Sequence, residues 1–305
     1  MKTNAVQMYV GHTNWVRSVV VSPDNTQVLT GSADGTIRLW DLKTGAELNR
    51  FLSQGKVKAD VSAVLFSSDG KRVLAGSWGE TRKRIPHDAW LIDIQTGQEL
   101  QRFGVDVPIL SLSLSKDDRY VATGHNHAVI LWNAQTGKPL WEYPVSNPNV
   151  IISPDNRHVF VGSHSLVTLD IETGQESHTF PTDTTISHLT GLSVSADGAY
   201  LAASNRNWAK LWNATQRTPL HYFRHDEEQA IVRAVAFSSN GQYFATGGEK
   251  TPTYLWDMQT HKPLSQFAGH TGMVTSVAFS PDSQYLLTSS IDRTVRLWDI
   301  AIAKR

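Results

Sequence analysis

The chain has 305 residues, of which 40% are hydrophobic and 18% charged, a balance that suits a folded globular protein and excludes a mostly disordered one. Lys plus Arg and Asp plus Glu both number 28, so no overall charge draws the molecule to nucleic acid or anionic membrane, and any such binding must come from a local patch. The absence of cysteine excludes disulfides, thiolate zinc sites and cysteine nucleophiles.

The chain starts with MKTNAVQMYVGHTNW, which has no apolar run of signal-peptide length, and no later segment approaches a membrane span. A soluble, cytoplasmic, monomeric protein is expected. Residues 5 to 9 read as a short strand before Gly11-His12. The run VRSVVVS, the turn SPDN at Ser22 and the run QVLTGSA then form a hairpin, followed by a third strand, IRLWD, a second turn, KTGAEL, and a fourth strand ending near Phe51. The same order returns along the whole chain. Turns beginning at Ser67, Ser115, Ser153, Ser195, Ser238 and Ser280 follow at intervals of roughly 40 residues, the spacing of a structural repeat. Each carries Asp or Asn at its third position, whose side-chain oxygen can satisfy nearby backbone NH groups. The second turn recurs as QTGQEL, QTGKPL, ETGQES, TQRTPL and QTHKPL, and is missing after the seventh unit, which ends in LWDIAIAKR.

Seven units of four short strands, with no helical pattern of any length, predict an all-β fold: a seven-bladed β-propeller of four-stranded antiparallel blades, formed by residues 1–305 as one domain. The chain resembles the WD-repeat β-propeller family, on Gly11-His12 and Gly269-His270 and on the WD pairs Trp40-Asp41, Trp256-Asp257 and Trp298-Asp299. WN replaces WD at Trp132-Asn133 and Trp212-Asn213, and Ile92 and Leu169 stand in the Trp position of repeats two and four. The segment VQMYVGH aligns on LSQFAGH, so the N-terminal strand is expected to supply the missing fourth strand of the blade formed by about 272–300 and to close the ring. The resemblance also implies a buried network of His, Thr, Asp and Trp within a blade. His12, Thr30, Asp34 and Trp40 match it in the first repeat and His270, Thr288, Asp292 and Trp298 in the last, while repeats two to six read as lacking the histidine.

The His, Thr and Asp of these sets have the residue types of a catalytic triad, but the family pattern buries them and engages the Thr hydroxyl with Trp, so their role reads as structural. His125 and His127 offer two metal ligands where a zinc site needs about four, and no metal or cofactor is expected. No phosphate-cradling, HExxH or GxSxG motif is present, and no enzymatic activity is expected. In the family pattern, residues just before the first strand and just before the turn Asp look outward on one face. These are Trp15 and Ala33 in blade one, Asp60 and Trp78 in blade two, and Met273 and Ile291 in blade seven, an apolar crescent around the seam beside a longer loop that carries Arg82, Lys83 and Arg84. The equivalent positions elsewhere, including His125, His188, Asn205 and Glu249, read as a more polar rim. The expectation is a non-catalytic scaffold that binds a protein or peptide partner on this face. The alternative is binding of RNA or another polyanion through Arg82 to Arg84, and a propeller enzyme is a distant third.

Overall fold

A computed structural model describes residues 2–3, 5–52, 59–78, 88–104, 107–181, 188–227 and 229–303. Blade one shows the plan on which every blade is built. Val16–Val21, Gln27–Ser32, Thr36–Asp41 and Glu47–Leu52 pair antiparallel in chain order, the first strand innermost. The other innermost strands are Asp60–Phe66, Ile109–Leu114, Asn149–Ile152, Gly191–Val194, Ile231–Phe237 and Val274–Phe279. Each touches the next around the ring, and the last touches the first.

Successive residues of a strand point to opposite sheet faces, and here both faces are buried because each blade is sandwiched. Val28 packs towards blade seven and Leu29 towards blade two. The core of this molecule is therefore a ring of apolar clusters, one at each interface between blades, with no common centre. No described helix is long and apolar enough to cross a membrane.

The turns work as their residue types predict. In all seven hairpins between first and second strands the leading Ser hydroxyl donates to the Asp or Asn two residues on, as from Ser22 Oγ to Asp24 Oδ1 at 2.6 Å and from Ser238 Oγ to Asn240 Oδ1 at 2.8 Å. The same Ser oxygen accepts the amide that restarts the strand, for example Tyr120 N at 2.9 Å. At the second turn, Asp41 Oδ1 accepts both the amide and the hydroxyl of Thr44 at 2.8 Å, and Gly45 follows with φ 72°.

The ring closes as the repeat count requires. Gln7–Val10 pairs antiparallel with the third strand of blade seven, Tyr9 opposite Val295, and so becomes its fourth strand. Upstream of it, Lys2–Thr3 pairs in parallel with Gln266 and Phe267, adding a fifth strand to the outer edge of blade six. Sequence reasoning did not foresee this second stitch, because two residues carry no periodicity. Tyr9, 2% exposed, donates its hydroxyl to Leu42 O across the seam at 2.7 Å, and its ring meets Trp40 edge-on.

Candidate functional site

Two arrangements draw the functional side chains together, one sealed within the blades and one open at the axis. In the sealed arrangement, Trp40 Nε1 donates to Thr30 Oγ1 at 2.9 Å, Thr30 Oγ1 meets His12 Nε2 at 2.7 Å, and His12 Nδ1 meets Asp34 Oδ2 at 2.9 Å. Trp298, Thr288, His270 and Asp292 repeat it at 2.9, 2.8 and 2.8 Å. Burial pushes the Asp34 carboxyl up, but hydrogen bonds from His12, Thr36 and the Thr13 amide outweigh it and hold the group well below the usual carboxylate range. Burial likewise lowers the His12 pKa, against the pull of Asp34. Thr30 is wholly buried, so its hydroxyl offers nothing to a substrate.

The open arrangement is a funnel of about 570 Å³ at one end of the axis. Part of its lining comes from a defect repeated in the innermost strands. In five blades the pairing of first and second strands skips one residue, a β-bulge, and the skipped residues are Arg17, Ser62, Leu110, Arg233 and Thr275. A bulge re-aims a side chain out of the pleat, and all five of these residues line the funnel. Trp15, Trp78 and Met273 stand on the same wall. Trp15 is 45% exposed and Trp78 41%, while Met273 is half-buried. Arg17 reaches across from blade one: its guanidinium carbon lies 4.4 Å from the centre of the Trp78 ring and 5.5 Å from that of Trp15. Its Nη2 donates to Asp60 Oδ2 at 2.9 Å. The two tryptophans are thus held by one cation, which limits their freedom before any partner arrives.

Comparison with known proteins bears on both arrangements. The family model described as WD domain, G-beta repeat matches residues 3–41 and 261–299, which carry the two complete His–Asp networks on either side of the seam. A second model, described as outer membrane protein assembly factor BamB, matches residues 33–260, the blades between. The chain is a WD-repeat β-propeller with seven repeats. It is 25% identical over 154 residues to a guanine nucleotide-binding protein subunit beta-like protein of Encephalitozoon cuniculi, covering 45% of this chain and 44% of that protein. It is 26% identical over 189 residues to eukaryotic translation initiation factor 3 subunit I of Phaeosphaeria nodorum, covering 58% and 54%. It is 23% identical over 286 residues to the WD repeat-containing protein WDS homolog of Arabidopsis thaliana, covering 88% and 52%. The match spans about half the length of each of these relatives. The first is named as subunit-like, the second as a subunit and the third as a WD repeat-containing protein.

Within the WD-repeat frame, the structure brings Trp15, Trp78 and Met273 to one wall and couples Asp60 to it through Arg17. It does not bring Ile291 there: that side chain is half-buried over Gly272. Arg82, Lys83 and Arg84 lie outside the described residues. The rim reading of His125 and Asn205 is wrong, since both are 2% exposed. Their turns, at 126–127 and 206–207, are one residue shorter than the 33–35 turn of blade one, so each is the last residue of its strand and not the first of the turn. His125 consequently shares a face with Thr123 and bonds its hydroxyl at 2.7 Å, while His127 is exposed. Among the described residues no three His, Asp or Glu side chains gather as metal ligands.

The histidine is also not missing from all the middle repeats. In blade six, His225 Nε2 meets Thr246 Oγ1 at 2.8 Å and Trp256 Nε1 donates to that oxygen at 2.8 Å. On the other side His225 Nδ1 meets Thr251 Oγ1 at 2.6 Å, which in turn donates to Glu227 at 3.0 Å. Blade six rebuilds the network with a Thr relay and a Glu in place of the Asp. RHDEEQ hides this because the histidine no longer follows a glycine. Arg17 and Arg233 were also overlooked, although VRSV and VRAV place them identically in their repeats.

Proposed function

We propose that residues 1–305 form a non-catalytic platform that binds a protein or peptide partner across the axial funnel, with Trp15, Trp78 and Met273 as anchors and Asp60 and Arg17 holding the tryptophans in place. The observation that carries this reading is the pair of half-exposed tryptophans braced on one arginine beside an apolar wall of Leu110, Leu192 and Val277. Exposed aromatics whose conformational freedom is already spent are favourable hot spots, since little entropy remains to be lost on binding. The relatives named for a G-beta-like protein and for a subunit of an initiation factor support a role in assemblies, in a cytoplasmic setting.

The test is capture of partners from an extract of the native cell by the intact chain and by Trp15→Ala and Trp78→Ala. Each substitution is expected to lose specific partners while the melting temperature stays close to that of the parent. Unchanged capture with a lowered melting temperature would show that the tryptophans only cover loop backbone. Capture that survives both substitutions and collapses as salt rises would favour a polyanion held through Arg82, Lys83 and Arg84.

A further inference from the structure

Among the described residues, the funnel lining is uncharged except at two places, and both are arginine. Arg17 and Arg233 occupy the same bulge position in blades one and six, separated only by blade seven. No Asp, Glu or Lys is among the described residues that line the funnel. Most hydroxyls of this wall are already committed: Thr275 Oγ1 donates to Val16 O, Thr190 Oγ1 to Val232 O at 2.6 Å and Ser62 Oγ to Gly76 O at 3.1 Å. They join neighbouring strands and blades and have no proton left for a guest. The guanidinium groups differ. Each offers five N–H donors. Among the described residues, Arg17 gives one bond, to Asp60, and the nearest carboxylate oxygen to Arg233 is Glu249 Oε2 at 4.0 Å, beyond hydrogen-bond distance. The Arg233 side chain is 42% exposed and that of Arg17 19%.

We infer that the funnel selects an acidic peptide segment, in which an Asp or Glu carboxylate is clamped between Arg17 and Arg233 while a neighbouring apolar residue packs on Trp15 and Trp78. This deepens the reading of the funnel as a docking site and rests on it. The geometry favours a carboxylate over a neutral acceptor because a charge-assisted bond to guanidinium is about twice as strong as a neutral one and can be bidentate. It disfavours a basic segment, which would set a buried like charge against two arginines.

The experiment pans a phage-displayed library of short random peptides against the intact chain and re-measures the enriched synthetic peptides by fluorescence anisotropy. Enriched peptides are expected to share an Asp or Glu beside an apolar residue. Replacing that acid by its amide, or making Arg17→Gln or Arg233→Gln, is expected to weaken binding roughly tenfold or more, the equivalent of losing one bond to a charged group. Arg233→Gln guards against a folding artefact, because Arg233 makes no hydrogen-bonded ion pair that the substitution would break. Peptides that need Trp15 and Trp78 but show no acid preference, and bind both arginine variants as tightly as the parent, would overturn the acid clamp and leave the docking site standing. Enrichment no better than with the Trp15→Ala, Trp78→Ala double variant would overturn both.

Discussion

The hydroxyl of Thr30 has one proton, and the groups around it leave that proton one good destination. Trp40 Nε1 can only donate, so Thr30 Oγ1 accepts from it and gives its own proton to His12 Nε2, which places the ring proton on Nδ1 facing Asp34. The same logic orders Trp298, Thr288, His270 and Asp292, and in blade six it runs from Trp256 through Thr246, His225 and Thr251 to Glu227. Asp34→Ala or Asp292→Ala strands a buried imidazole and is expected to cost about 1–3 kcal/mol in urea denaturation. Neutral imidazoles also make stability depend on acid. Burial lowers the pKa of His225 from 6.5 to about 4, and that of His125, against the carbonyls of Pro108 and Val107, from 6.5 to about 4. The unfolded chain takes up these protons first, so stability is full above pH 6.5 and falls as the pH drops towards 4. The loss is expected to be on the order of 3 kcal/mol per histidine at the acid end. A urea midpoint that stays level across that window would contradict the neutral, buried assignment.

Among the repeated elements, the turns show how one blade senses the next. The fourth residue of the hairpin turn has positive φ, and Asn25, Asp118, Asn156 and Ser283 adopt it where other blades use Gly70, Gly198 and Gly241. Those four side chains accept amides from the preceding blade: Asn25 from Asp282, Asp118 from Ser68, Asn156 from Lys116 and Ser283 from Asn240, at 3.0 to 3.2 Å. Asp118 also takes the Ser68 hydroxyl at 2.7 Å and Arg72 Nη2 at 3.1 Å. Asp118→Gly keeps a backbone that glycine adopts freely while removing this clasp, and is expected to destabilise by about 1–2 kcal/mol. The second turn gives the opposite contrast. A Cβ on Gly174 would lie 2.8 Å from the ring of Trp141, which packs over this turn and donates to Ile171 O at 2.8 Å. Gly174→Ala is therefore expected to cost about 1–3 kcal/mol, through a displaced ring and a strained φ of 69°. Thermal melts of the two variants beside the parent would check both expectations.

The whole molecule is held by a strand from one end of the chain completing a blade made by the other. Each blade interface has its own apolar cluster, and the cluster at the seam draws Tyr9, Val295 and Leu297 from one side and Val16, Trp40 and Leu42 from the other. Deleting residues 1–10 removes Tyr9 and uncovers the edge of Thr294–Asp299, which is then free to pair with another chain. The expected outcome is a lowered melting temperature and aggregation that grows with protein concentration, seen by light scattering. Tyr9→Phe loses only the bond to Leu42 O and is expected to cost about 1 kcal/mol without aggregation. Equal behaviour of the two variants would mean that the strand is not the clasp of the ring.

The repeat, its four strands, both turns and the closure were legible in the chain itself, because they are set by local chemistry that recurs in register: Asp and Thr that satisfy turn amides, β-rich runs of fixed length, and an N-terminal strand whose counterpart is missing at the far end. The two complete His–Asp networks were legible only through the resemblance to the WD-repeat family, which implies them for His12, Thr30, Asp34 and Trp40 and for His270, Thr288, Asp292 and Trp298. What the chain could not tell by itself is which side chains leave the pleat. A bulge shifts pairing by one residue without changing the composition of a strand, so Arg17 and Arg233 read as ordinary strand residues until the register of both strands is known. A turn shorter by one residue turns His125 from rim to interior, and a Thr relay lets His225 join a network without the glycine that marks it elsewhere. Those outcomes depend on distances between residues far apart in sequence. Only the closed ring brings Trp15, Trp78 and Met273, from three blades, to the mouth of one funnel.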